Sequence, residues 1–246
     1  MIITKTPFRI SFFGGGTDHP SWFKEHGGKV IATTFDKYCY ISLRNLPPFF
    51  DHKYRVVYSR IENVNSINEM KHPAVREVLK YFDNRNGLEI HHDGDLPARS
   101  GLGSSSSFTV GLVNALCALE GKYKSSYELA TSAIHIEQNL IQECVGSQDQ
   151  ISAAYGGFNE IEFYNDGSFS VQPLLISSER KKALNDHLML FFTGISRFSS
   201  DVTKSQIENM SNCATQMHEL YAIAEEGASL LTRPDIPLEE FGKLLD

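Results

Sequence analysis

Helical spacing of apolar residues predicts several helices in the middle and at the end of the chain. In Ala74–Phe82 and Ser104–Glu120 the apolar residues recur every three or four positions, so that they share one face of a helix. Tyr127–Gln142 shows the same spacing, and Gln148–Tyr155 is a shorter example. From Asp201 to Leu231 the pattern is again helical.

Short segments rich in β-branched and aromatic residues predict strands. Pro7 separates the first two of them, and Asn165-Asp166-Gly167 is typical of a hairpin turn. Leu188–Phe192 is a continuous apolar run, for which we expect a buried strand. The other predicted strands are Ile2–Thr6, Arg9–Phe13, Val30–Thr34, Tyr38–Arg44, Arg55–Tyr58, Leu88–His91, Phe158–Phe163 and Phe169–Val171.

The order of these elements predicts the fold class. Strands come first, helices follow, and then strands and helices come again, which favours an α+β fold with mixed sheets in two lobes. We expect one domain over residues 1–175 and a second, partial domain over residues 176–246.

Composition and charge exclude several classes of protein. The chain has 246 residues, of which 41% are hydrophobic and 22% charged, as in an ordinary globular protein. No apolar run approaches 18 residues and the first residues do not resemble a secretory signal, so we expect a cytoplasmic protein without a membrane partner. The four cysteines form no CxxC pair, which argues against a zinc site.

The charge is unevenly distributed along the chain. The first 60 residues hold nine lysines and arginines against four acidic residues, a net charge of +5. Since the whole chain carries −7, the remainder carries −12. An acidic protein of this kind is a poor nucleic-acid binder, but its basic N-terminal region could hold a small anion.

A glycine-serine loop between a predicted strand and a strong helix is the clearest chemical signal. It runs from Asp95 to Ser107, with Gly101 and Gly103 where the backbone would approach a ligand and serines at the start of the helix. Unpaired N–H groups and the positive end of the helix dipole favour an anion there. A flexible linker and a well-capped helix without a ligand are the alternatives. It is not a P-loop, because no lysine follows Gly103.

Two carboxylates follow this loop. Glu137 lies in the middle of a predicted helix, and Asp149 lies at the start of the next one, among polar residues. Each alone reads as an exposed side chain, but beside a phosphate loop they suit a metal ligand and a proton acceptor. Arg9 and Asp18 flank a glycine turn, and their plain interpretation is a surface arginine and a turn cap.

Several motifs together resemble those of the GHMP kinases. The resemblance covers nearly the whole chain, and the heptose 7-phosphate kinases are the most similar subfamily. The matching segments are Pro7-Phe8-Arg9, Gly14-Gly15-Gly16-Thr17-Asp18, His72–Glu77, Pro97 with Gly101–Ser105, Glu137, Gly146–Gln150 and Phe192–Arg197. The third, glycine-rich motif of the family has no counterpart, because the last 40 residues contain only Gly227 and Gly242. We therefore expect the two-lobed GHMP kinase fold with a partial C-terminal lobe.

The resemblance implies ATP and Mg²⁺ as cofactors and assigns roles to individual residues. Ser105 and Glu137 would bind Mg²⁺, with Ser104 as the alternative to Ser105, while Asp149 and Arg9 would be catalytic. The substrate residues would be Gly15, Gly16, Thr17, Asp18 and Arg197. ATP would contact Pro97, Arg99, Ser100, Gly101, Leu102, Gly103, Ser104, Ser105 and Ser106.

The resemblance also implies the reaction. The expected substrate is heptose 7-phosphate, a small sugar phosphate, which would be phosphorylated at its anomeric hydroxyl. A kinase of a neutral, fucose-like sugar and a binding protein without turnover are the alternatives. Association into a homo-oligomer is compatible with any of the three.

Overall fold

The structure, a computed structural model, describes residues 1–97, 100–191, 207 and 209–245. These residues form two compact units that interleave along the chain. The first unit contains the described residues of Met1–Phe8, Phe35–Val145 and Asp149–Gly156; the second contains those of Arg9–Thr34, Gly146–Gln148 and Gly157–Asp246. Both units mix strands and helices, which confirms the α+β prediction. The boundary at residues 175 and 176 stays a prediction.

The predicted elements occur in the predicted order, but the helices Pro20–His26 and Ser178–His187 and the strand Ile61–Val64 were not predicted. The strands are β1 (Ile2–Phe13), β2 (Gly28–Asn45), β3 (Tyr54–Val57), β4 (Ile61–Val64), β5 (Leu88–Gly94), β6 (Phe158–Phe163) and β7 (Phe169–Pro173). The helices are α1 (Pro20–His26), α2 (Pro73–Tyr81), α3 (Ser104–Leu119), α4 (Ser126–Ile134), α5 (Gln148–Tyr155), α6 (Ser178–His187), α7 (Ala214–Thr232) and α8 (Leu238–Lys243). A π-helix, His135–Ile141, follows α4 directly. No described helix has the length and apolar character needed to cross a membrane.

Three strand predictions are wrong. Val30–Thr34 and Tyr38–Arg44 are not separate strands, since both lie within β2. The chain runs through Pro7 as a single strand, because β1 pairs with β2 alone among the described strands and its other edge needs no donor. Leu188–Phe191 form no strand: they follow the end of α6 and are exposed, Met189 to 80%. An apolar run is buried only where other elements cover it, and no described strand pairs with this one. Phe192 lies outside the described residues.

The first unit is built on strands in the order β4-β3-β5-β2. β3 and β5 are parallel, whereas β3–β4 and β2–β5 are antiparallel. Helix α3 is apolar on almost every side and is buried in the core of this unit, where Leu112 and Val113 are fully buried. Its N-terminus follows the loop after β5, so the glycine-serine loop belongs to this unit.

The second unit pairs the beginning of β2 with β6 and β6 with β7, both antiparallel. Phe163 pairs with Phe169, which confirms the hairpin predicted from Asn165-Asp166-Gly167. Helix α7 approaches β1 very closely at Gly227, where a Cβ atom would lie 2.5 Å from the Phe13 ring. Only glycine permits this packing.

Thr17 fixes the glycine turn that follows β1 in the second unit. Its side chain is fully buried, and Oγ1 lies 2.7 Å from the Gly14 carbonyl oxygen and 3.0 Å from that of Lys29. The same hydroxyl accepts a hydrogen bond from the Lys29 N–H, 3.1 Å away. One side chain thereby ties the turn to the start of β2, and its hydroxyl is engaged within the chain.

A charged cluster lies on the sheet of the first unit. The half-exposed side chains of Arg44, Arg55 and His91 surround the Glu89 carboxylate, which is only 10% exposed. The hydrogen bond from His91 lowers the pKa of Glu89; burial raises it, and the hydrogen bond and charge of Arg44 lower it further. The pKa of Glu89 is therefore below its ordinary value.

We expect Thr17→Val to lower the free energy of unfolding by about 1–3 kcal/mol, because the buried Lys29 N–H loses the hydroxyl oxygen that accepts its hydrogen bond. Thr17→Ser keeps the hydroxyl and is expected to stay close to the wild type. Urea denaturation of the three proteins measures the difference. A Thr17→Val protein as stable as the wild type would contradict the anchoring role.

We expect Glu89→Gln to lower the free energy of unfolding at pH 7 by about 1–3 kcal/mol. A carboxyl group whose pKa is depressed by folding stabilises the fold above its unfolded pKa, and this contribution disappears as the pH falls through the folded pKa. The two proteins should therefore converge in acid. Chemical denaturation between pH 7 and pH 3 tests this, and a gap that stayed constant would refute it.

Candidate active site

The loop between β5 and α3 has the geometry of an anion site. Gly101 and Gly103 both adopt positive φ, +75°, which L side chains rarely adopt, and Gly103 is the N-cap of α3. Because glycine has no side chain, no capping side chain occupies the first N–H groups of this 16-residue helix. Pro97 is exposed and Ser100 is half-buried, with its hydroxyl oxygen buried and unpartnered among the described residues.

The serine run divides into exposed and buried hydroxyl groups. Ser104 is half-buried and Ser105 is exposed, whereas Ser106 and Ser107 are buried. The Ser107 hydroxyl donates to the Pro7 carbonyl at 2.8 Å and holds the helix against β1. The Ser106 hydroxyl donates to Glu137 Oε2 at 2.8 Å.

Glu137 is a carboxylate buried completely in the core of the first unit. It lies in the first turn of the π-helix, an unusual helix that often occurs at functional sites. Its Oε2 accepts hydrogen bonds from the Ser106 hydroxyl and from Nε2 of Gln150 in α5. Its Oε1 is buried and has no hydrogen-bond partner among the described residues.

Burial raises the pKa of Glu137 to about 7, although the Thr109 and Ser106 hydroxyls and the Gln150 amide each lower it. Nearby dipoles therefore compensate for only part of the cost of the charge. The described residues contain no group of three or more histidine, cysteine, aspartate or glutamate side chains that could hold a metal. Mg²⁺ is commonly held by one or two carboxylates together with phosphate oxygens, so an unpaired carboxylate oxygen beside a serine hydroxyl fits this ion.

The structure brings a different serine to Glu137 from the one predicted. Ser105 and Glu137 are the predicted ligands of Mg²⁺; in the structure Ser105 is exposed, and Ser106 is the serine that contacts Glu137. Consecutive residues of a helix point about 100° apart, so a shift of one position decides which hydroxyl faces the carboxylate. Ser104, the alternative, is not the partner either.

In the second unit, Asp18 ties the glycine turn to the segment 146–148. The residue is 3% exposed, and its Oδ1 accepts a hydrogen bond from the Gly16 N–H at 2.9 Å. Its Oδ2 accepts from the Gln148 N–H at 3.1 Å, and its carbonyl oxygen accepts from the Ser147 N–H. A Cβ atom at Gly146 would lie 1.9 Å from Oδ2, so this contact requires glycine.

The remaining predicted residues lie in both units. Asp149 is the half-buried second residue of α5 in the first unit, and the next residue, Gln150, contacts Glu137. Arg9 is a half-buried residue of β1 in the second unit, where Gly15 is exposed. The predicted ATP residue Arg99 and the predicted substrate residue Arg197 lie outside the described residues.

Two polar residues of this region were missed by the sequence analysis. Gln150 is fully buried against Glu137, and Gln148 contacts Asp18 through its backbone and its side chain. Both lie in the segment 146–150, where only Asp149 received a role. No pattern in the sequence marks either glutamine, because their roles depend on partners that only the structure brings together.

The chain is similar to known sugar kinases. Residues 68–157 match the family model described as the GHMP kinases N terminal domain. The chain is 28% identical over 238 residues to the D-glycero-alpha-D-manno-heptose 7-phosphate kinase of Campylobacter jejuni, covering 93% of this chain and 70% of the relative. It is 26% identical over 216 residues to a bifunctional fucokinase/GDP-fucose pyrophosphorylase of Arabidopsis thaliana, covering 80% of this chain and 20% of that protein.

Among solved structures, a D-glycero-D-manno-heptose 1-phosphate kinase from Bacteriodes thetaiotaomicron is similar in fold, with a TM-score of 0.81 and 22% sequence identity. The match covers 99% of this chain and 76% of that protein. The predicted fold class is thereby confirmed. The loop, α3, Glu137 and α5 all lie within the segment that matches the family model. The chain therefore contains a GHMP kinase N-terminal domain at residues 68–157 and has the fold of these kinases.

Proposed function

We propose that this protein is an ATP- and Mg²⁺-dependent kinase that phosphorylates heptose 7-phosphate at its anomeric hydroxyl to give the 1,7-bisphosphate. One observation carries the proposal. The completely buried carboxylate of Glu137 has one oxygen without a partner among the described residues, and it contacts Ser106. Ser106 lies in the first turn of α3, a helix without a capping side chain. The heptose kinase relative supports the substrate. The product would serve the synthesis of nucleotide-activated heptose for surface polysaccharide.

Phosphate binding falls to the loop and to the start of α3. The uncapped N–H groups and the helix dipole attract the negative oxygens of ATP, and Gly101 and Gly103 let the backbone approach them. Arg99 would add a positive charge to the same loop. The exposed Ser105 hydroxyl is free of the Glu137 contact, so in this proposal it donates to a phosphate oxygen.

Glu137 and Ser106 would hold the metal ion. When bound, Mg²⁺ would neutralise part of the phosphate charge. The carboxylate and the hydroxyl supply oxygen ligands, and Gln150 holds Oε2 in place from α5. A cation beside Glu137 would also favour its ionised form, which burial alone disfavours.

Phosphoryl transfer needs positioning and charge neutralisation more than covalent chemistry from the protein. In this proposal Asp149 accepts the proton of the sugar hydroxyl, and Arg9 supplies positive charge at the transferring group. Gly15 and Gly16 in the glycine turn, together with Arg197, would contact the sugar, and Asp18 would hold that turn in place.

A second candidate function is the phosphorylation of a neutral sugar. The relative that includes a fucokinase favours this alternative. The two functions differ in the far end of the substrate, because only heptose 7-phosphate requires a cationic site for a second phosphate. Its advantage over the unphosphorylated heptose should shrink as salt is added.

We expect the protein to convert heptose 7-phosphate to the bisphosphate with ATP and Mg²⁺, and Asp149→Asn to reduce kcat by roughly 10²–10⁴-fold with little change in ATP binding. Phosphorus NMR of products from a panel of sugars and sugar phosphates identifies the acceptor and the position. Titration calorimetry measures ATP affinity.

Asp166→Asn is the matched control, because Asp166 lies in the exposed hairpin turn and should keep full activity. Turnover of unphosphorylated sugars alone would favour the second candidate. If sugar and ATP bind but no product forms, both kinase functions are wrong and the protein is a binding protein without turnover. An active Asp149→Asn enzyme would remove Asp149 as the proton acceptor.

We expect Ser106→Ala to raise the Mg²⁺ concentration for half-maximal activity several-fold, and Ser105→Ala to change it much less, because only Ser106 contacts Glu137. Magnesium titrations at fixed ATP and sugar measure both variants, and thermal unfolding checks that they fold. A large shift in Ser105→Ala with none in Ser106→Ala would restore the predicted pair.

A further inference from the structure

Gln148 holds Asp18 with two groups and leaves a third group without a partner. Its backbone N–H and its Nε2 both donate to the Asp18 carboxylate, at 3.1 and 3.4 Å. Its Oε1 is buried and has no hydrogen-bond partner among the described residues. The amide lies against the glycine turn, since a Cβ atom at Gly15 would be 3.6 Å from Nε2.

The contact with Asp18 fixes which way the amide points. An ionised carboxylate accepts hydrogen bonds and cannot donate them, so the NH₂ group of Gln148 must face Asp18. Oε1 then points away from Asp18, and rotating the amide by 180° would place two acceptors against each other. A buried acceptor held in this way is unfavourable unless a donor other than the described residues completes it.

Asp18 itself is poorly placed to read a ligand. It is 3% exposed, and its two carboxylate oxygens already accept hydrogen bonds from the Gly16 N–H and from both donors of Gln148. Its contacts are those of an anchor between the turn and Gln148. The unsatisfied acceptor of this region therefore belongs to Gln148.

We infer that Gln148 is a specificity-determining residue, whose Oε1 accepts a hydrogen bond from one hydroxyl group of the sugar, and that Asp18 is the residue that positions it. The inference rests on the proposed sugar kinase function. It assigns recognition of a donor hydroxyl to a residue to which the family resemblance gave no role. The substrate that accepts the phosphoryl group is then a polyol, and one of its hydroxyl groups donates a hydrogen bond to Gln148.

The experiment is a double-mutant cycle between the protein and the sugar. The probes are heptose 7-phosphate and a set of its deoxyfluoro analogues, each with one hydroxyl other than the reacting one replaced by fluorine, which cannot donate. The proteins are the wild type, Gln148→Met, which has a similar shape without an amide, and the control Gln172→Met on the exposed part of β7. Sugar affinity by calorimetry and sugar and ATP KM are measured for each pair.

For one analogue, we expect the wild type and Gln172→Met to bind about 3–10-fold more weakly than they bind the natural sugar, the range of a lost hydrogen bond. Gln148→Met should bind that analogue and the natural sugar equally, with ATP KM unchanged. A purely structural role would instead weaken all the sugars equally. A lost contact with the sugar should appear in sugar KM. Gln148 directly precedes Asp149, so a loss in kcat would instead indicate that the substitution disturbed Asp149.

Three outcomes overturn the inference. If the wild type binds the sugar but shows no preference at any replaced hydroxyl, no donor is read, and this result does not depend on the folding of a variant. If Gln148→Met keeps the same preference, another residue reads the hydroxyl. In both cases turnover by the wild type leaves the proposed function intact, whereas a wild type that neither binds nor phosphorylates any sugar overturns both.

Discussion

The carboxylate of Glu137 is the constraint around which the first unit is organised. A charged group buried completely in a protein core is unfavourable unless it is paired, and the surrounding dipoles leave its pKa raised to about 7. Three elements meet at this group: the π-helix carries it, α3 brings Ser106, and α5 brings Gln150. Local stability would favour an apolar residue here, so the retained carboxylate is an argument for a cation.

The second unit is organised around a different carboxylate. Asp18 is also buried, but backbone N–H groups and the Gln148 amide satisfy it, and Thr17 beside it ties the turn to β2. The two carboxylates therefore differ in role: Asp18 holds backbone segments together, whereas Glu137 is a candidate ligand. A satisfied buried carboxylate fixes backbone segments, whereas an unsatisfied one keeps capacity for a ligand.

Much of the fold could be predicted from local pattern, and the failures have physical reasons. The helices α2 and α3 and the hairpin after β6 depend on neighbouring residues, and the structure confirms them, although α3 is buried on almost every side and not on one face alone. Leu188–Phe191 depend on what covers them, which a local pattern cannot contain. The helix predicted over Tyr127–Gln142 changes to a π-helix at His135, a change that apolar spacing does not indicate.

The candidate site shows the same division. The glycine-serine loop and Glu137 were found from their residue types and from the resemblance, which do not depend on helix phase. Which serine faces Glu137 does depend on phase, and a shift of one residue separates Ser105 from Ser106. Gln148 and Gln150 were missed because a glutamine has no characteristic spacing, and its role is visible only through its partners.

The net charge of the first 60 residues does not show where a cationic site lies in the structure. The first 60 residues carry +5, which suggested a basic region for an anionic substrate. In the second unit, Lys29 is almost buried and pairs with Glu160 and Glu225. In the first unit, Arg44 and Arg55 share the Glu89 carboxylate. Acidic partners far away in the sequence therefore neutralise three of the nine basic residues. The net charge of the segment is a sum over separate networks, and the reading of a second phosphate must fall to residues outside them.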